Sequence, residues 1–187
     1  GILVSYIGTH GMAQNLSTVL QAADKLRNKK DIQFVLIGDG AEKNDLISLK
    51  ESLDLQNVHF LDQVPQEEAL RYTAASDICL APLRKADLFK QTIPSKIYEL
   101  MACGRPIVLG VDGEARNLVE RASAGVFVEP EDPDALASAI TDLADDREKR
   151  LKFGENGRQF VTEHYDKQIL ARLYLDMITA LAAKRST

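Results

Sequence analysis

The feature that most constrains this chain is a repeated alternation. Short apolar runs at residues 4–7, 32–37, 58–61, 78–81, 107–109 and 126–128 are separated by stretches whose apolar residues recur at helical spacing. Several runs are continuously apolar, as strands buried on both faces of a parallel sheet must be. Between the first two runs, over residues 15–27, Leu16, Val19, Leu20, Ala23 and Leu26 make one stripe. Over 42–53, Leu46, Leu49 and Leu53 make another. Shorter helices are expected over 67–75, 95–103 and 115–122. Strand–helix alternation implies right-handed βαβ units, and so an α/β fold: a doubly wound, Rossmann-like parallel sheet of about six strands. After Val128 the pattern changes. Helices are expected over 134–144, 147–164 (despite Gly154 and Gly157) and 167–183, with no further strand. The chain therefore reads as a single domain, residues 1–187, with an α/β core over 1–130 and a C-terminal helical tail over 131–187.

Composition narrows the class. A chain of 187 residues, 45% hydrophobic and 27% charged, can bury a core without disulfides or structural metal. Its net charge of -5 disfavours a general nucleic-acid binder. No apolar run reaches membrane-spanning length, so no membrane contact is expected. The first residues lack the basic start and cleavage pattern of a secretory signal, and a cytoplasmic protein is expected. Cys79 and Cys103 fall in apolar and helical runs and read as small core residues. Without a Cys-x-x-Cys pair or a Cys/His cluster, no metal site is expected. Charge is unevenly distributed. Residues 82–106 hold five basic and two acidic side chains, whereas 129–148 hold eight acidic and one basic.

In an open parallel sheet, ligands bind beyond the carboxyl ends of the strands. The loops that matter are 8–14, 38–40, 62–64, 82–94 and 110–114. Gly8, Gly38 and Gly110 directly follow strands, where a missing side chain lets backbone amides approach a phosphate. Tight strand-to-helix turns also need glycine, so these positions alone do not identify a ligand. The first loop, Gly8-Thr9-His10-Gly11-Met12-Ala13-Gln14, has neither the dinucleotide glycine triplet nor a P-loop ending. Residues 91–108 carry more. Pro94 and Ser95 mark a helix start and Gly104 its stop. Ser95 and Glu99, four apart, project from one helix face. Lys96 in the first turn opposes the helix dipole by about 0.3–1 kcal/mol unless an anion shares the site. These residues suit a diphosphate at the helix tip and a sugar hydroxyl pair at Glu99. A solvent-facing Lys96 and a Glu99 paired with Arg105 would be the structural alternative.

The run P-S-K-I-Y-E-L-M-A-C-G-R-P-I-V from Pro94 to Val108 closely resembles the nucleotide-binding half of GT-B glycosyltransferases, in particular the retaining group 1, or family 4, enzymes. Tyr6-Ile7-Gly8, the stretch from Val35 to Gly40, the stretch from Val58 to Pro65, Ala75-Ser76-Asp77-Ile78 and Ala124-Gly125-Val126 extend the likeness along nearly the whole chain. The family carries two glutamates with seven residues between them. Glu99 matches the second, which holds the ribose hydroxyls, and Gln91 stands where the first is expected to contact the donor sugar. Family members also grip the diphosphate with Arg and Lys in the first loop, where this chain has Thr9, His10 and Gln14. Lys96 and the backbone of Thr92, Ile93, Pro94 and Ser95 are the candidate replacements. The resemblance implies that Lys96 and Gln91 lie nearest the chemistry. It further implies that Gly8, Thr9, His10, Gly11, Gln14, Gly38 and Gly40 surround the phosphates, and that Gln63 and Val64 hold the base.

The implied activity is glycosyl transfer with retention from a nucleotide-diphosphate sugar, UDP or GDP type, to a hydroxyl acceptor in polysaccharide or glycoconjugate biosynthesis. No cofactor or metal is implied. Complete members pair this half with an N-terminal acceptor domain, which is absent here, so this domain is expected to bind donor without turning it over. Membrane attachment would lie at the inner face, through that other half. A nucleotide-sugar 2-epimerase shares the architecture, and a non-catalytic doubly wound regulatory domain is the remaining alternative.

Overall fold

A computed structural model describes residues 1–185. Six strands form one all-parallel sheet in the order β3-β2-β1-β4-β5-β6. They are β1 (Ile2–Ile7), β2 (Ile32–Ile37), β3 (Val58–Leu61), β4 (Ile78–Pro82), β5 (Ile107–Gly110) and β6 (Gly125–Phe127). The helices are α1 (Ser17–Lys25), α2 (Lys43–Ser52), α3 (Gln66–Ala75), α4 (Lys96–Ala102), α5 (Glu114–Arg121), α6 (Pro133–Asp145), α7 (Arg147–Tyr165) and α8 (Lys167–Arg185). The α/β reading from apolar alternation is the observed architecture. The order reverses between β1 and β4, where Val4 pairs with Ile78 and Ser5 with Cys79. A crevice opens at such a switch point, because the chain leaves the two strands toward opposite faces.

The sheet divides the core in two. On one face α1, α2 and α6 pack through Leu16, Val19, Leu20, Leu46, Leu136 and Ile140. On the other, α4, α5 and α7 pack through Ile97, Met101, Leu118, Val119 and Phe160. Phe34, in the middle of β2, is completely buried, consistent with a strand covered on both sides. Helix α6 begins as its sequence dictates. Pro133 occupies the first turn, and the Asp132 carboxylate accepts from the amides of Asp134 (3.0 Å) and Ala135 (2.9 Å). Although it follows the last strand, α6 belongs to the core rather than standing apart from it.

Several local readings shift. The helix expected from residue 15 starts two residues later, because Asn15 adopts a positive φ of 46° and accepts from Ser17 Oγ at 2.7 Å. The loop expected over 82–94 contains a 3-10 turn, Asp87–Gln91. The sixth strand lies one residue earlier than the apolar pattern suggests. Cys79 is buried as expected, but Cys103 is only half-buried. Gly154 and Gly157 do not break α7, because they bring it against α4. A Cβ on Gly154 would meet the Gly104 carbonyl, and one on Gly157 would lie 3.0 Å from the Ala124 Cβ. Helix α8 leaves Leu173, Tyr174, Leu175 and Met177 more than half exposed. The last two residues of the tail assigned to 131–187 lie outside the described residues. Among those described, no helix is long and apolar enough to cross a membrane.

Candidate functional site

Parallel pairing brings the ends of β1 and β2 side by side, with Ile7 opposite Ile37, and this sets the two glycine turns against each other. The Gly8 amide donates to the Ile37 carbonyl at 2.8 Å, and the His10 amide to that of Asp39 at 2.8 Å. At Gly38 (φ 146°) any Cβ would collide with the Gly8 carbonyl, so the approach of the two turns requires glycine there. Helix α4 points its amino end at this junction. Between them lies a cleft of about 300 Å³, lined by Gly8, Thr9, Gly38, Asp39, Gln63, Val64, Ser95, Lys96 and Glu99. A wider hollow of about 530 Å³ lies along α3, bounded by Glu67, Glu68 and Arg71, and no strand end reaches it. The cleft, at the topological switch point, is the candidate site.

Lys96 is the first residue of α4 and crosses to β1. Its Nζ lies 4.1 Å from the centroid of the Tyr6 ring, and a Cβ on Gly8 would run into it. A glycine at position 8 thus makes room for the ammonium. Tyr6 is 3% exposed and its hydroxyl donates to the Thr9 carbonyl at 2.8 Å, holding the loop and the ring in place. Burial is the main influence on Lys96 and lowers its pKa from 10.5 to about 8, despite the nearby Glu99 carboxylate. Among the described residues, neither Lys96 nor Glu99 belongs to an ion pair. The pairing of Glu99 with Arg105 does not form, and Lys96 is turned inward rather than to solvent. An inward, unpaired ammonium beside an exposed carboxylate one turn away is costly to the free protein and suits a ligand carrying both an anion and hydroxyls.

His10, expected beside the phosphates, lies beneath the cleft lining rather than in it. It is 0% exposed, with its ring 6.0 Å from that of Tyr6 and 5.8 Å from that of Phe60. Burial, followed by the positive charges of Lys43 and Lys96, lowers its pKa to about 4. At neutral pH the imidazole is uncharged, so it supplies no cation to the cleft. Its backbone instead ties two loops together, since the Glu42 amide donates to the His10 carbonyl at 2.9 Å.

Of the residues singled out in the sequence, Gly8, Thr9, Gly38, Gln63, Val64, Ser95, Lys96 and Glu99 line the one cleft. His10, Gly11, Gln14, Gly40, Thr92, Ile93 and Pro94 lie outside that lining. Gln91 ends the 3-10 turn and is exposed. Lys43 was not singled out. It opens α2, and its Nζ donates to the carbonyls of Gly38 (2.9 Å) and Leu61 (3.4 Å) and to Asp62 Oδ1 (2.7 Å). The signal was available, because Lys43 breaks the helix-dipole preference in the same way as Lys96.

Comparison with known proteins agrees with this architecture. The family described as "Glycosyl transferases group 1" matches residues 2–160. A GDP-mannose-dependent monoacylated alpha-(1-6)-phosphatidylinositol monomannoside mannosyltransferase from Corynebacterium glutamicum is 30% identical over 144 residues, 76% of this chain and 37% of that protein. An N-acetyl-alpha-D-glucosaminyl L-malate synthase from Bacillus anthracis is 24% identical over 92% of this chain and 44% of its own length. Among solved structures, the sucrose-phosphate synthase of Thermosynechococcus elongatus superposes with a TM-score of 0.84 and 25% identity over 98% of this chain and 46% of that one. A structure from Anabaena in complex with UDP shares the fold at TM-score 0.81 and 20% identity, covering 96% of this chain and 49% of that one. The chain spans less than half the length of these relatives. It belongs to the group 1 glycosyltransferases and has the Rossmann-like α/β fold of GT-B enzymes.

Proposed function

We propose that this domain binds the nucleotide-diphosphate sugar donor of a retaining glycosyltransferase that transfers a sugar to a hydroxyl acceptor. The observation that carries the reading is the convergence on one cleft of two glycine turns, the unpaired Lys96 and the unpaired Glu99. In this reading the diphosphate lies against Gly8, Gly38 and the first turn of α4. Glu99 accepts from the ribose hydroxyls, and the backbone at Gln63 and Val64 meets the base. Departure of the diphosphate develops negative charge on its oxygens. Lys96, held in place by Tyr6 and Gly8 before the ligand arrives, would stabilise that charge without reorganising. It stands in for the basic residues missing from the β1–α1 loop. Gln91, an amide where relatives of this type have a carboxylate, would contact the donor sugar as a neutral hydrogen-bonding group.

The GDP-mannose dependence named for the Corynebacterium relative and the UDP in the Anabaena structure support a donor of this class without choosing the base. Acceptor recognition is assigned to a part of the enzyme outside these residues, so the isolated domain should bind donor and show negligible turnover. The enzyme is expected to act in the cytoplasm, with any attachment to the inner face of the membrane made through the part outside these residues. Titration of the 187-residue chain with UDP, GDP and ADP tests the reading. Saturable binding of at least one is expected. A folded chain that binds none at millimolar concentration would overturn it.

A further inference from the structure

Two helices around the cleft, α2 and α4, begin with lysine, although a cation in the first turn opposes the helix dipole. Their ammonium groups are used differently. That of Lys96 has no anionic partner among the described residues and faces the cleft. That of Lys43, on a side chain only 13% exposed, is fully engaged. Its three donors reach the Gly38 carbonyl at the end of β2, the Leu61 carbonyl at the end of β3 and the Asp62 carboxylate. Gly38 forms one wall of the cleft, and Asp62 immediately precedes Gln63 and Val64, which form another. The Gly38 amide also donates to the Leu61 carbonyl at 3.2 Å, so that carbonyl is shared with the longer Lys43 contact at 3.4 Å. Gln63 itself is exposed, and β3 is an edge strand. The Lys43 ammonium therefore adds a second polar link between the 38–40 and 61–64 turns, through its shorter contacts to the Gly38 carbonyl (2.9 Å) and the solvent-exposed Asp62 carboxylate (2.7 Å).

We propose that Lys43 is a positioning residue that sets the distance between the base-side and phosphate-side walls of the donor cleft, without touching the donor. The proposal rests on the donor-cleft reading above. It accounts for a lysine at an unfavourable helix position that does not itself line the cleft. It also separates the two lysines by consequence. Loss of Lys96 should weaken every ligand carrying a diphosphate. Loss of Lys43 should weaken ligands that must reach both walls and largely spare one that occupies the phosphate side alone.

The test is calorimetric titration of wild type, Lys43→Met and Lys43→Arg with UDP, GDP and inorganic pyrophosphate. Lys43→Met is expected to weaken the nucleotide that wild type prefers by about tenfold or more, and pyrophosphate by less than about threefold. Lys43→Arg, which keeps charged donors at the site, should recover most of the nucleotide affinity. If Lys43→Met does not fold, Lys43→Gln carries the same expectation, since its shorter amide cannot span both carbonyls. Unchanged nucleotide affinity in the folded variant would overturn the proposal. So would equal losses for nucleotide and pyrophosphate, which would make Lys43 a plain source of positive charge. Failure of wild type to bind any nucleotide would instead remove the donor-cleft reading on which the proposal stands.

Discussion

Replacing Lys96 with methionine should raise stability and lower donor affinity, and the pH dependence of both follows from the structure. In the free domain, burial between Tyr6 and Gly8 lowers the Lys96 pKa from 10.5 to about 8. That shift corresponds to a cost of up to about 3 kcal/mol for keeping the ammonium charged at neutral pH. The folded pKa lies below the unfolded one, so the unfolded chain holds more protons between pH 8 and 10.5. The cost is fully present below pH 8 and is relieved as pH rises through that window. Lys96→Met removes the charge and nearly keeps the volume. At pH 7 it should be more stable than wild type by 1 kcal/mol or more, up to about 3. A bound diphosphate demands the charged form. Wild-type affinity should therefore fall about tenfold from pH 7 to pH 9, with up to about one proton taken up per nucleotide bound at the upper end. Calorimetry in two buffers of different ionisation heat measures the uptake, and urea unfolding measures the stability. In Lys96→Met the proton uptake attributable to this group should vanish and the affinity should be low throughout. A Lys96→Met protein that is less stable than wild type yet binds nucleotide equally well would refute the reasoning.

Other expectations follow from packing and charge. Gly154→Ala forces a methyl into the Gly104 carbonyl where α7 crosses the end of α4, and should cost about 1–3 kcal/mol by urea unfolding. Gly38→Ala should abolish nucleotide binding in calorimetry while circular dichroism shows the α/β content retained, because the collision is confined to the two glycine turns. His10 carries a folded pKa of about 4 against 6.5, so the unfolded chain gains the extra proton as pH falls through this window. Wild type should lose up to about 3 kcal/mol between pH 6.5 and 4 through this group. A His10→Phe comparison in acid unfolding should show that portion of the loss removed.

Much of the fold was legible because both core faces write themselves into the sequence. The run from Ile32 to Ile37 is apolar throughout because β2 is covered on both sides, and Pro133 after Asp132 announces α6 in capping chemistry alone. Element ends were less legible. The start of α1 depends on Asn15 adopting a left-handed conformation, which its side chain tolerates but does not require. Gly154 and Gly157 looked like weak points in a helix, and only the neighbouring α4 shows them to be contact surfaces.

The candidate site was half legible for a similar reason. Ser95, Lys96 and Glu99 share one helix, so spacing alone places them together. The contact of Lys96 with Tyr6, some ninety residues away in the chain, depends on the strand order β1-β4 and could not be read from spacing. His10 reads in the sequence as a first-loop residue beside the phosphates. The Tyr6 and Phe60 rings that bury it come from different strands, so its neutral state is a tertiary property. Lys43 shows the opposite case: its signal, a lysine opening a helix, was present, but its partners at the ends of β2 and β3 became visible only in the folded chain.

The most direct measurement is titration of wild type and Glu99→Ala with UDP, GDP and inorganic pyrophosphate, with folding checked by thermal unfolding. If the carboxylate holds the ribose hydroxyls, Glu99→Ala should bind the preferred nucleotide about tenfold or more weakly, matching the 1.5–3 kcal/mol expected of hydrogen bonds to a charged group, at unchanged melting temperature. Its pyrophosphate affinity should not fall. A folded Glu99→Ala protein that binds the nucleotide as tightly as wild type would contradict the placement of the donor in this cleft.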